Sequence, residues 1–215
     1  MSGQQYLLGT RSEGKLRELR QIFAHFGLDV IDLSTAGIPE LDAEDNLEAF
    51  GTFEENALAK ARYFHEVSGG LPTFGDDSGM CVDALGGEPG VYSKRWSGRD
   101  DITGSALDAA NNQKLLRRIE KARAEQGNNF TDTARFVAVA AFKDLQGEQF
   151  RRGEIEGRVV TVPRGNGGFG YDPHFEAPEL GGTFAESPIE RTARFSHRSR
   201  AFHALLSALR AQGRV

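Results

Sequence analysis

Three stretches of the chain carry groups that handle phosphate. Lys15 closes "GTRSEGK" (residues 9–15), Asp76 and Asp77 stand side by side in "GDDSG", and Arg191, Arg194, His197, Arg198 and Arg200 crowd into ten residues. Ammonium and guanidinium ions pair with phosphate oxygens, and carboxylates are the hard ligands that magnesium prefers. Gly9, Gly14 and Lys15 match the first seven positions of the phosphate-loop pattern G-x-x-x-x-G-K-[ST], but Leu16 stands where a metal-holding hydroxyl belongs. That spelling leaves a damaged phosphate loop, an accident, or another kind of triphosphate site.

"GNGGFG" (165–170) matches the dinucleotide fingerprint G-x-G-x-x-G, which requires a helix directly after it. Pro173 and Pro178 rule out a long helix there. The glycines still admit a ligand close to the backbone, and Phe169 and Tyr171 offer faces for stacking a base. On a strand, Asp76 and Asp77 point to opposite faces, one inward and one outward, and the inward one suits a metal; an Asx-type turn is the ordinary alternative. A solvated helix face is the ordinary account of Arg200, and surface or packing roles that of His25, His65 and His203.

The elements that must position these groups follow from periodicity. "QQYLLGT" reads as a strand; Leu16, Leu19, Ile22, Phe23 and Phe26 form a helical stripe stopped by Gly27; and "LDVIDL" reads as a second strand, so the chain opens as a β-α-β unit. Residues 39–51 lack a period and predict an exposed loop. Thr52 and Glu55 predict a capping box before a helix over 53–68. "TFGDDSGMCVDAL" reads as extended and buried, and Pro89-Gly90 as the centre of a type II turn. A long amphipathic helix over 105–126, a hairpin across "LQG", and a final helix with Phe202, Leu205, Leu206 and Leu209 on one stripe complete the reading.

The 215 residues, 39% of them hydrophobic, are enough for one globular unit, and length alone does not separate one lobe from two. A net charge of −5 argues against a general nucleic-acid binder. The lone Cys81 excludes an intramolecular disulfide or a cysteine-based zinc cluster. With no signal peptide and no long apolar run, the expectation is a soluble, cytoplasmic protein without a membrane partner.

In order, "GTRSEGKLREL", "TFEENALAKAR", "DDSGMCVDALGGEPGVYSKRWSG", "GNGGFGYDPHF" and "SHRSRAFHAL" resemble the successive signatures of the inosine triphosphate pyrophosphatases, from about residue 8 to 206. The resemblance implies an α/β fold with an elongated mixed sheet flanked by helices, two lobes around a central cleft, a homodimer and a Mg²⁺ requirement. It implies hydrolysis of dITP, ITP and XTP to monophosphate and pyrophosphate. It assigns Thr10, Arg11, Ser12, Glu13, Gly14 and Lys15 to substrate binding, Glu48 and Asp77 to the metal, and Asp77, Lys15 and Lys60 to catalysis. Ser78, Phe169, Gly170, Tyr171, Asp172, Thr192, His197 and Arg198 follow as nucleotide contacts, with Asp172 a candidate acceptor for a purine N1–H. Two positions depart from the pattern: Ser12 replaces the usual Asn, and Thr192 the usual Lys, for which Arg191 or Arg194 is the substitute charge. A pyrophosphatase of the Maf-like type and a non-catalytic nucleotide-binding module are the alternatives.

Overall fold

Three consecutive buried residues, Tyr6, Leu7 and Leu8, need cover on both sides, which a central parallel strand receives. They form β1 (Tyr6–Gly9) in a computed structural model that describes residues 4–215. Helix α1 (Glu13–Phe26) follows, its start capped by the Ser12 side chain, which accepts from the Lys15 N–H, and its end turned by Gly27 at φ +67°. Strand β2 (Val30–Asp32) returns parallel to β1, pairing Tyr6 with Val30, and β3 (Thr73–Val82) lies parallel on the other side, pairing Gly9 with Gly75. The opening β-α-β unit is as the periodicity predicts.

Residues 39–51 depart from the expected loop by forming a 3₁₀ turn over Asp42–Glu48. Its anchor is distant in sequence: Arg11 grips Glu44 through two nitrogens at 3.0 and 2.7 Å and donates to the carbonyls of Ile38 and Pro39. Helix α2 (Phe53–Val67) begins at Thr52, whose hydroxyl oxygen accepts from the Glu55 N–H. The other half of the capping box is altered, because the Glu55 carboxylate takes the Thr52 hydroxyl at 2.7 Å. The type II turn does not form either: Pro89 follows a cis peptide and, at φ −73° and ψ −19°, leads into a 3₁₀ turn over Gly90–Arg95.

Helix α3 (Gly104–Gln126) precedes the long strands β4 (Thr133–Asp144) and β5 (Gly147–Val159). Asp144 closes the turn between them by accepting from the N–H groups of Gln146 and Gly147. Short strands β6 (Phe175–Ala177) and β7 (Gly182–Thr183) add antiparallel pairings, and helices α4 (Ile189–Phe195) and α5 (His197–Ala211) end the chain. The result is a mixed sheet in the order β2-β1-β3-β4-β5-β6-β7 with helices, an α/β fold. Among the described residues no helix is long and apolar enough to cross a membrane.

Two compact units emerge. The first runs through Asp77 and adds Ala138–Gly153 and Ser196–Val215; its core holds an aromatic set in which Phe74 meets Tyr6, Phe23, Phe142 and Phe202. The second comprises Ser78–Val137 and Glu154–Phe195, with Met80, Trp96, Leu115, Phe136, Ile155 and Phe175 at its centre.

Gly75 sets the distance between β3 and α2. A Cβ there would lie 2.4 Å from the Ala57 carbonyl oxygen and 2.8 Å from the Ala61 nitrogen, both backbone atoms that cannot swing aside. Gly75→Ala is expected to cost at least about 2–3 kcal/mol in urea unfolding. Gly51→Ala, with nothing within 4 Å of the added carbon, is expected to change stability by less than about 0.5 kcal/mol.

Candidate functional site

Asp76 and Asp77 are 2% and 4% exposed, so the expected outward carboxylate does not exist. Alternation along β3 holds, but helices cover both faces within the first unit. On one face Asp76 meets Lys15 of α1, 2.6 Å from Oδ1, and Arg198 of α5, whose Nε donates to Oδ2 at 3.2 Å. On the other, Asp77 accepts from Lys60 Nζ at 2.8 Å and from Asn56 Nδ2 at 3.0 Å, both on α2. Lys60 Nζ also donates to the Asp76 carbonyl at 3.0 Å and pairs with Glu48 Oε1 at 2.6 Å. Arg198 reaches back to Glu18, which also accepts from the Ser196 hydroxyl.

Glu18, Glu48, Asp76 and Asp77 thus face Lys15, Lys60 and Arg198. Burial opposes the ionisation of Asp76, but Lys15 and Arg198 outweigh it and hold its carboxyl well below the usual range. Burial pulls Lys15 below the ordinary ammonium range despite Asp76. Lys60 experiences the same burial, yet Asp77 and Glu48 together hold it above that range. His197 is driven far below its ordinary value by burial and then by the Arg198 charge, so its imidazole stays neutral.

These donors fit a hard divalent cation in a limited way. Glu48 and Asp77 converge on one cationic point, the Lys60 ammonium, while Asp76 Oδ1 is buried and taken by Lys15 at 2.6 Å. Among the described residues no group of three or more His, Cys, Asp or Glu is arranged as a metal cage. Two carboxylates with water and phosphate oxygens completing the shell is the usual manner of magnesium at phosphate sites.

Within the 10–15 loop, Thr10 Oγ1 accepts from the Ser12 N–H, and Ser12 caps α1, a task in which Ser and Asn are near equals. Glu13 and Gly14 form the first turn of α1, where backbone N–H groups favour an anion. Arg11 is spent on Glu44, Ile38 and Pro39. Arg198, expected to touch nucleotide, is 2% exposed and bonded to two carboxylates.

In the second unit, Ser78 is half-buried and Thr192 is buried, its hydroxyl donating to the Ile189 carbonyl. Arg191 donates to the Glu179 carbonyl and Arg194 lies over the Phe195 ring. The segment after "GNGGFG" is a 3₁₀ turn over Asp172–His174, so the dinucleotide fingerprint lacks its helix. Phe169 is 36% exposed, whereas Tyr171 is a core residue whose hydroxyl donates to the Ser93 carbonyl, which removes it as a stacking face. Asp172 turns its Oδ2 to the Phe169 N–H at 2.8 Å.

Sequence reading assigned no role to Glu18 or Asn56. The available signal was a polar residue on an otherwise buried helical stripe: Glu18 beside Leu19 and Ile22, and Asn56 beside Phe53, Ala57 and Lys60. Arg198→Met is expected to lower stability by about 3–5 kcal/mol, because it takes from buried Glu18 its guanidinium partner and leaves Asp76 with Lys15 alone; urea unfolding measures it. For His197 the folded value lies below the unfolded value of 6.5, so the unfolded chain binds the extra proton. Stability is therefore present above pH 6.5 and falls as pH is lowered through it, by at most about 1.4 kcal/mol per pH unit for this group. His197→Gln should flatten that slope between about pH 6.5 and 5.

The model of the Ham1 family matches residues 6–208. The chain is 43% identical over 210 residues to the dITP/XTP pyrophosphatase of Thermus thermophilus, spanning 97% of this chain and 93% of that protein. It is 42% identical over 208 residues to the dITP/XTP pyrophosphatase of Geobacter sulfurreducens, at 96% and 97% coverage. Among solved structures, a HAM1 protein from Coxiella burnetii superposes with a TM-score of 0.77 at 31% identity, covering 96% of this chain and 98% of that one. Matched almost end to end in sequence and in fold, the chain belongs to the Ham1 family.

Proposed function

We propose that the chain is a nucleoside triphosphate pyrophosphatase that hydrolyses non-standard purine nucleotides, dITP, ITP and XTP, to the monophosphate and pyrophosphate. The observation that carries this reading is the buried array in which Lys60 sits between Glu48 and Asp77 while Lys15 pairs with Asp76, in a chain so similar to dITP/XTP pyrophosphatases.

A triphosphate brings several negative charges, whose burial is costly unless cations meet them. Lys15 supplies one such charge, at the capped start of α1. In this reading Glu48 and Asp77 hold Mg²⁺, which when bound neutralises phosphate charge and makes water more acidic. Asp77 accepts the proton of the attacking water; the oxygen bonds to the α-phosphorus, the α–β anhydride bond breaks, and pyrophosphate leaves in line. Lys60 orients the Asp77 carboxylate, with Asn56 fixing its second oxygen.

Base selection rests on the 6-oxo acceptor and N1–H donor that hypoxanthine and xanthine share and adenine lacks. Phe169 supplies a stacking face, with Gly170, Ser78, Thr192 and His197 as further nucleotide contacts. A polar site left unpaired by the wrong base discriminates by roughly ten thousand-fold. The proposal includes a cytoplasmic homodimer, consistent with a lone cysteine.

Pyrophosphate and monophosphate release across a panel of purine triphosphates tests it, with dITP expected to be consumed and dATP poorly so. Release of inorganic phosphate alone would overturn the reaction. Asp77→Asn should lower kcat by on the order of a hundredfold or more while the fold is kept, and wild-type turnover in that variant would remove Asp77 from the chemistry.

A further inference from the structure

Gly170 is held from both sides by one helix. Its N–H donates to Asp108 Oδ2 at 2.9 Å, and its carbonyl accepts from Asn112 Nδ2 at 2.9 Å. Asp108 and Asn112 are four residues apart on α3, hence on one face of it. Gly170 itself adopts φ +61°, a left-handed conformation that other residues enter only at a cost. From this geometry we infer that Asp108 and Asn112 are positioning residues, which fix the Phe169–Asp172 turn so that Phe169 presents its ring to a purine base. The inference rests on the proposed role of Phe169.

Every neighbouring contact serves the same end. Asp172 accepts from the Phe169 N–H, and its own N–H donates to the Phe169 carbonyl at 3.2 Å. Tyr171 is sunk in the core with its hydroxyl on the Ser93 carbonyl. Asn111, beside Asn112, accepts from the Ser97 N–H and donates to the Lys94 carbonyl. Helix α3 therefore ties the 93–97 turn and the 169–172 turn to one rigid element, itself held in the core by Leu115 and Ile119. Phe169, between two fixed backbone amides, is the large side chain of this turn that keeps substantial exposure.

A second observation singles out Asn112. Its Oδ1 is buried without a hydrogen bond, although a buried acceptor left unmade costs free energy. Turning the amide over would satisfy neither end, because Oδ1 would then face the Gly170 carbonyl oxygen. The orientation that donates to Gly170 is therefore the one the amide keeps, which singles out that contact as the one it serves.

The test uses KM for ITP, kcat, and the inhibition constant of tripolyphosphate, an anion with the phosphates but no base. Asp108→Ala and Asn112→Ala, which remove groups without adding bulk, should each raise the ITP KM by about five- to tenfold with kcat within about twofold. Tripolyphosphate inhibition should be unchanged, and Asp108→Asn, which keeps an acceptor oxygen, should restore the wild-type KM. An unchanged KM in both alanine variants, or a tripolyphosphate constant that rises in step with KM, would overturn the inference. Phe169→Ala separates the two levels. If it raises KM while the α3 variants do not, only the clamp falls; if it leaves KM unchanged, the base-binding role of the turn falls and the clamp with it.

Discussion

Two adjacent carboxylates on a strand that has no solvent-facing side are the constraint around which the first unit is arranged. Ionised groups cannot be buried without partners, and Asp76 and Asp77 face opposite ways, so each needs its own set. That requirement dictates what α1, α2 and α5 must carry at their buried faces: Lys15, Lys60 with Asn56, and Arg198. It also dictates how closely α2 must run, because a lysine and an asparagine one turn apart reach Asp77 only if the helix backbone passes against Gly75. Apolar residues of similar volume would stabilise such an interior as well or better, so the array is better explained by chemistry than by stability.

The two lysines are not equivalent, and their difference has a use. Lys60 is enclosed by Asp77 and Glu48 and holds its proton more firmly than a free lysine. Lys15 shares a carboxylate that Arg198 already serves, and burial leaves its proton held less firmly than that of a free lysine. An incoming phosphate would restore what burial takes from Lys15, whereas Lys60 gains nothing further.

Local pattern revealed most of the frame. The α1 stripe, the Gly27 stop, the Thr52 start of α2, the β4–β5 hairpin and the apolar stripe of α5 were legible because each depends on neighbours within a few positions. The features that were not legible depend on distant partners. The turn over Asp42–Glu48 is set by Arg11, the burial of Glu18 by Arg198, and the loss of Tyr171 as a stacking face by Ser93. At the site the residue types pointed to phosphate and metal, and the resemblance named Glu48, Lys60 and Asp77. Neither revealed that Arg198 faces Asp76 and Glu18 inside the protein.

Asn112 Oδ1 is buried, makes no hydrogen bond to the protein, and does not stand in ordinary core. Its amide nitrogen holds the carbonyl of Gly170, the residue after Phe169. Buried polar atoms are nearly always satisfied, so exceptions call for a cause. Asp76 is the contrasting case, with both oxygens taken, Oδ1 by Lys15 and Oδ2 by Arg198, so that it draws the starts of α1 and α5 to one strand position. The two places answer separate demands, a buried charge that must be paired at Asp76 and, in the proposed reading, a turn that must hold Phe169 at Asn112.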